Sequence, residues 1–161
     1  MRAGHELFVQ AGAGSASGYA DEDYRSVGAT ILPDAGALYG RAQLIVKVKE
    51  PIAAEYPLLR PEHVLFSYLH LAANPDLARV LQAKRLTALA FETVERDGRL
   101  PLLAPMSEIA GKLAVQIGAT LLHAPQGGRG ILLGGLAAAE RGRVVVLGAG
   151  EAGAAACALA A

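Results

Sequence analysis

The sequence predicts an α/β fold: a mostly parallel sheet with flanking helices, followed by the opening β-turn-α of a second unit. Two observations predict it. Short apolar runs of strand length alternate with helical patterns through most of the chain, an order that gives parallel strands joined by right-handed helical crossovers. Near the end, V-V-V-L at 144–147 runs into Gly148-x-Gly150-x-x-Gly153 and an alanine-rich segment, a strand, a glycine turn and a helix in immediate succession.

Taken in order, Glu6 to Gln10 reads as a short strand and the glycine-rich Ala11 to Gly18 as a turn. Asp21 has the side chain to cap a helix running to about Gly28, because its carboxylate accepts otherwise unpaired backbone N–H groups. Thr30 to Leu32 is a second strand, and Asp34 caps a short helix after it. Leu44 to Lys49, L-I-V-K-V-K, is a strand that turns polar toward its C-terminal end, and Pro51 stops regular pairing. Val64 to Leu69 is the next strand, ending at His70. Asn74-Pro75 opens a helix to about Lys84, with asparagine as cap and proline in the first turn. Thr87 to Val94 is strand-like, and Glu95 to Arg99 is a charged turn.

From Ser107 the period changes. Ile109, Leu113, Ile117 and Leu121 recur every four residues, which predicts a long helix with one apolar stripe. Gly111, Ala114, Gly118 and Ala119 let a neighbour approach closely. Gln126-Gly127-Gly128-Arg129-Gly130 breaks the pattern, so the domain boundary is placed here: 1–126, including the helix over 107–123, and 127–161. Ile131 to Arg143 carries no single period, and Arg143 to Leu147 is the last strand.

Composition narrows the function classes. The chain has 161 residues, 53% hydrophobic and 19% charged, enough for one sizeable core. Fifteen basic residues balance fifteen acidic ones, so no global field recommends nucleic acid or an anionic membrane as partner. Cys157 is the only cysteine; an internal disulfide or a cysteine-based zinc site is excluded, and a cytoplasmic setting fits. No pair of histidines has helical metal-ligand spacing. The opening Met1-Arg2-Ala3-Gly4-His5-Glu6 lacks the apolar run of a signal peptide, and no run reaches membrane-spanning length. His5, His63 and His123 fall in surface or turn contexts.

In open α/β sheets ligands gather at the carboxyl ends of strands. Lys49, His70 and Glu92 all fall there. A lysine at that position supplies positive charge for a carboxylate or a developing oxyanion; a histidine moves protons near neutral pH. Each has a plainer reading: a solvated lysine, a hydrogen-bonded structural histidine, a carboxylate serving a salt bridge or a cap. Ser107 is read as the N-cap of the long helix, or as a hydroxyl contacting a ligand held at that helix start. The glycine run has the context that a dinucleotide fingerprint requires. Gly148 permits the tight turn, Gly150 the approach of a pyrophosphate and Gly153 close helix–strand packing, while N–H groups around Glu151 and Ala152 face the phosphates. The Glu151 carboxylate would repel a pyrophosphate unless it turns to solvent.

Five stretches, in order, carry a family resemblance: K-V-K-E-P at 47–51, L-F-S-Y-L-H-L-A-A at 65–73, F-E-T-V at 91–94, L-P-L-L-A-P-M-S-E-I-A-G at 100–111 and Q-G-G-R-G-I-L-L-G-G at 126–135. Together they resemble alanine dehydrogenase, over nearly the whole chain. The proton-translocating transhydrogenases share the architecture, but their counterpart region does not typically carry the histidine of Y-L-H-L-A. The resemblance implies a Rossmann-like substrate domain, an NAD-binding Rossmann domain, and NAD-dependent oxidative deamination of L-alanine to pyruvate and ammonia. It implies that Lys49 binds the substrate carboxylate and keto oxygen, that His70 is the acid/base residue, and that Met106 lines the substrate–nicotinamide region. By the same match Ser107 contacts NAD, and Gly148, Gly150, Glu151, Ala152 and Gly153 form the phosphate turn. Family members commonly assemble as hexamers.

Departures qualify the match. A strand and a substrate-binding arginine that precede R-A-G-H-E in the family are expected to be absent. So are the acidic ribose ligand about 20 residues past the glycine motif, the second catalytic carboxylate and the returning C-terminal segment. Leu136 to Arg141 lacks the usual proline, and Glu151 replaces a small or apolar residue. The expectation is an alanine dehydrogenase fragment with little activity alone. The alternatives are a non-catalytic binding or regulatory subunit, pairing through the small-residue helix 107–123, and a transhydrogenase alpha-subunit-like protein.

Overall fold

A computed structural model describes residues 4–138 and 141–161. Met1-Arg2-Ala3 of the opening segment, and Ala139-Glu140 within the 136–141 connection, lie outside the described residues. Packing divides the chain into two compact units, Met1–Thr93 and Val94–Ala161. The division at 126/127 read from the sequence is of another kind, concerning which parts serve substrate and which serve cofactor.

In the first unit β1 (Phe8–Gln10), α1 (Asp21–Ser26), β2 (Thr30–Leu32), α2 (Ala35–Arg41), β3 (Leu44–Val46), β4 (Val64–Ser67), α3 (Pro75–Lys84) and β5 (Thr87–Ala90) follow in order. β1 pairs with β2, and β3, β4 and β5 form a second sheet in that order; all three pairings are parallel. Ile45 and Leu65 are register partners and both are buried, while Leu44 and Val46 on the opposite face are exposed, the period of two that a pleated strand imposes. They join Tyr39, Leu59, Leu69, Leu77 and Leu81 in the core. Each leucine fully buried there contributes roughly 1.5–3 kcal/mol relative to exposure.

Caps explain where the helices start. The Asp34 carboxylate accepts the Ala37 N–H at 2.8 Å, and the Asn74 side chain accepts that of Leu77 at 3.3 Å, with Pro75 at the first position of α3. Asp21 is not the cap of α1: the helix begins at Asp21, after Ala20, and ends at Ser26. Asp23 supplies the reach-back contact, accepting the Ala20 N–H at 2.7 Å, and Asp21 accepts the Gly12 N–H at 2.8 Å to tie down the glycine-rich turn. β5 is shorter than the sequence suggests because Phe91–Thr93 winds into a single 3-10 turn. His63 is not a surface residue. It is buried, with Nε2 3.0 Å from the Tyr39 carbonyl at the end of α2 and the Arg60 side chain against it.

The second unit opens on the charged turn, where Arg96 and Arg99 exchange backbone hydrogen bonds around Asp97 and Gly98, both at positive φ. Among its described residues the α-helices are α4 (Ala104–Leu121) and α5 (Glu151–Ala160). Ser107 is not the N-cap of α4. The helix starts three residues earlier because Pro105 is well placed in a first turn, where its missing N–H has no partner to lose. The apolar stripe of Ile109, Leu113, Ile117 and Leu121 remains exposed. The small-residue face packs instead: Gly111 is buried, and a Cβ there would run into the Ala152 carbonyl of α5. The strand expected over Arg143–Leu147 is not formed among the described residues. The segment has no ladder partner among them, and Leu147 is 94% exposed; hydrogen bonds to a neighbouring strand, not apolar content, make a strand.

Candidate functional site

In the first unit the parallel pairing of β3 and β4 continues past both strands as backbone hydrogen bonds. Lys47 N donates to Phe66 O at 3.2 Å, and Tyr68 N to Val48 O at 3.0 Å. Lys49 follows directly on the first of these segments and His70 stands two residues past Tyr68 on the second, so both lie beyond the same end of the sheet. Lys49 is 69% exposed, with Glu50 3.6 Å away, an ion pair too long to be a hydrogen bond. Glu50 Oε2 is buried and accepts no hydrogen bond. The Glu50 carboxyl is held below the usual range by its own backbone N–H and, against desolvation, by the charges of Lys49 and His70. One carboxylate therefore senses both candidate residues.

Glu92, on the 3-10 turn after β5, reaches the same place. Its carboxylate accepts the His70 N–H at 2.7 Å and the Leu69 N–H at 3.2 Å. Burial, the largest influence, pushes its pKa up; its own backbone N–H, those of His70 and Leu69, and the His70 charge outweigh this and hold it down. His70 has φ +47°, a left-handed conformation that histidine adopts more readily than most residues. Its ring stacks on Tyr68, with centroids 5.8 Å apart and planes 6° from parallel.

Sequence reasoning placed Lys49, His70 and Glu92 at this end of the sheet but passed over Glu50, although it stands inside the quoted K-V-K-E-P. It also passed over Lys47 and Glu55, whose ion pair is 24% and 15% exposed and anchors the same segment. A lysine at alternate positions of a strand end, followed by glutamates, was the available signal.

In the second unit Met106 and Ser107 lie in the first turn of α4, and Met106 is exposed. Ser107 and Glu151 line one hollow of about 240 Å³ together with Arg99 and Leu103. The three motif glycines differ in what they do. Gly148 has φ +101°, open to glycine and strained for other residues. Nothing stands within 4 Å of the place a Gly150 Cβ would occupy. A Cβ on Gly153 would strike the Gly148 carbonyl. A turn residue, an open approach and a packing contact are what a pyrophosphate-binding turn needs, and the first N–H groups of α5, at Glu151 and Ala152, stand next to the open position. The backbone fits such a group; the Glu151 side chain fits only if turned away. Among the described residues no cluster of three or more His, Cys, Asp or Glu is arranged to hold a metal ion.

The family comparison decides what this geometry belongs to. Residues 1–110 match the family model described as "Alanine dehydrogenase/PNT, N-terminal domain", and residues 114–161 match "Alanine dehydrogenase/PNT, C-terminal domain". The chain belongs to the alanine dehydrogenase/PNT family. It is 49% identical to the alanine dehydrogenase of Bacillus subtilis (strain 168) over 150 residues, covering 93% of this chain and 39% of the relative. It is 51% identical to that of Mycobacterium tuberculosis (strain H37Rv) over 153 residues, covering 94% and 41%. A solved L-alanine dehydrogenase superposes with TM-score 0.92 at 48% identity, over 99% of this chain and 44% of the other. A transhydrogenase from Sinorhizobium meliloti superposes with TM-score 0.78 at 29% identity, over 98% and 47%. The chain thus spans about two fifths of the length of the curated alanine dehydrogenases it matches. Among the described residues no helix is long and apolar enough to cross a membrane.

Proposed function

We propose that this chain carries the substrate-binding half and the first phosphate-binding turn of an NAD-dependent L-alanine dehydrogenase, interconverting L-alanine with pyruvate and ammonia. The observation that supports this best is the shared exit of Lys49 and His70 from one sheet end, with Glu50 and Glu92 beside them. In this reading the Lys49 ammonium pairs with the substrate carboxylate and polarises the keto oxygen. The His70 imidazole takes and returns a proton at the substrate's carbon-bound heteroatom. Met106 serves the substrate–nicotinamide region and Ser107 contacts the cofactor, as the family resemblance implies. Gly148, Gly150, Glu151, Ala152 and Gly153 present the turn to its pyrophosphate. NAD, when bound, supplies the hydride acceptor.

The 161-residue chain by itself is expected to turn over slowly, because the described residues of the second unit pair no strand with 143–147, and an unpaired segment and one helix do not make a dinucleotide domain. Titrating pyruvate into the chain while following the Lys49 and His70 side chains by NMR tests the proposal. Saturable shifts at both are expected; the absence of shifts at both would overturn it. Turnover of alanine with NAD near that of a full-length relative would overturn the expectation of slow turnover.

We also propose a cytoplasmic setting and association of copies. The exposed stripe of Ile109, Leu113, Ile117 and Leu121 supports association, in place of the small-residue face, which α5 already covers. A strictly monomeric mass in light scattering at high concentration would remove this support. A transhydrogenase-like role has the Sinorhizobium meliloti likeness in its favour; the higher identity and TM-score of the dehydrogenases favour the first reading.

A further inference from the structure

β4 ends at Ser67, so the N–H groups of Leu69 and His70 emerge beyond its ladder with β5. Unpaired, they would cost free energy in a half-buried place. Both are taken by one side chain. Glu92 Oε1 lies 2.7 Å from His70 N and 3.2 Å from Leu69 N, and Oε2 lies 3.3 Å from Leu69 N. The carboxylate thus stands in for the missing strand carbonyls at the point where the backbone swings to φ +47° at His70.

The residue before it works on the ring. Phe91 packs edge-on against Tyr68, with centroids 5.2 Å apart, and against Phe66 at 4.4 Å. Tyr68 in turn carries the His70 imidazole in a parallel stack. One short turn, Phe91–Thr93, therefore grips His70 at two points: its N–H directly, and its ring through Tyr68. Thr93 closes that turn by donating its hydroxyl to the Ala90 carbonyl at 3.1 Å. A side chain at the left-handed position of a loop has few other reasons to hold one orientation.

We propose that Glu92 is a positioning residue for His70: its carboxylate fixes the left-handed turn that sets the imidazole at the sheet end beyond which Lys49 also lies. This rests on the role proposed for His70, but its first test does not. Hydrogen exchange of the Leu69 and His70 amides is compared in the wild-type chain, Glu92→Gln and Glu92→Ala, without ligand. Glutamine keeps a carbonyl acceptor and loses the charge, so about tenfold faster exchange is expected at these two amides alone, since hydrogen bonds to charged acceptors are roughly twice as strong. Glu92→Ala should exchange faster still, and the His70 ring protons should lose the ring-current shift of the Tyr68 stack. Unchanged exchange at both amides in Glu92→Gln would overturn the proposal. So would acceleration spread evenly over β4 and β5, the mark of a general loss of stability. Pyruvate titration then adds the functional arm: weaker binding is expected in Glu92→Gln at an unchanged urea midpoint, and equal binding would overturn the link to substrate. If pyruvate fails to bind the wild-type chain, the functional reading of His70 falls while the exchange result still decides whether Glu92 holds it.

Discussion

Lys47 and Glu55 form a two-pronged ion pair, with the lysine Nζ 2.7 Å from one carboxylate oxygen and 2.5 Å from the other. The same carboxylate accepts the Ile52 N–H at 2.7 Å and the Tyr39 hydroxyl at 3.3 Å. It therefore closes the 47–55 loop onto α2. Breaking a buried pair on one side strands the other charge, and because these two groups keep some contact with water Glu55→Ala should destabilise the first unit by about 1–3 kcal/mol. Urea unfolding of the variant checks it, and an unchanged midpoint would remove the pair from the account of the loop.

Lys49 contrasts with Lys47. It makes only a 3.6 Å ion pair and is mostly in solvent, so Lys49→Ala should change stability by less than about 0.5 kcal/mol. Pyruvate binding should weaken by a factor of about 10 or more, as expected on losing a charge-assisted contact. Urea midpoint and pyruvate affinity, measured on the same preparation, separate the two effects.

The glycine turn offers a paired experiment. Gly153→Ala puts a methyl group against the Gly148 carbonyl and within 2.9 Å of the Gly148 carbonyl carbon, so backbone must move, at a cost of about 1–3 kcal/mol. Gly150→Ala meets nothing within 4 Å and has an extended backbone, so its effect on stability should stay within about 0.5 kcal/mol. Thermal melts of the two should differ in that order. Loss of NAD contact by Gly150→Ala without loss of stability would mark the open position as the ligand's.

His63 sets an acid limit. Burial lowers its pKa, Arg60 lowers it further, and its bond to the Tyr39 carbonyl and the Glu62 charge offset part of this. The folded pKa lies below the unfolded value, so this contribution is fully present above about pH 6.5 and is lost as pH falls through the folded pKa. The urea midpoint should begin to drop below about pH 6.5, before most carboxylates titrate. His63→Gln should be less stable at neutral pH and flat across that window. A variant as steep as the wild type would place the titrating group elsewhere.

Much of this arrangement was legible in the sequence. The caps at Asp34 and Asn74 and the placement of Lys49 and His70 beyond neighbouring parallel strands follow from local patterns, and the structure contains them. Two failures have one cause, namely that a partner elsewhere in the chain decides: Asp21 was taken by the Gly12 N–H and His63 by the Tyr39 carbonyl. The small face of α4 does what its residues suggest and lets α5 approach closely. The capping role read for Ser107 failed differently, because a nearby proline moved the helix start. The Arg143–Leu147 segment shows that apolar residues suffice for a strand only when a neighbour is present. Glu92 was read as a salt-bridge or capping group; its partners are backbone N–H groups 22 and 23 residues away, which no spacing rule would name.

The left-handed backbone at His70 places a demand on the dihedral that is separate from the one its proposed proton chemistry places on the imidazole. A standard alanine replacement confounds them, since it deletes the ring and also strains the chain. Asparagine tolerates that dihedral and has no titratable ring. His70→Asn is therefore the cleaner control, and an allele series at codon 70 should rank by backbone tolerance for folding yield and by proton chemistry for catalysis. Two different orders from one set of variants would come from that one dihedral.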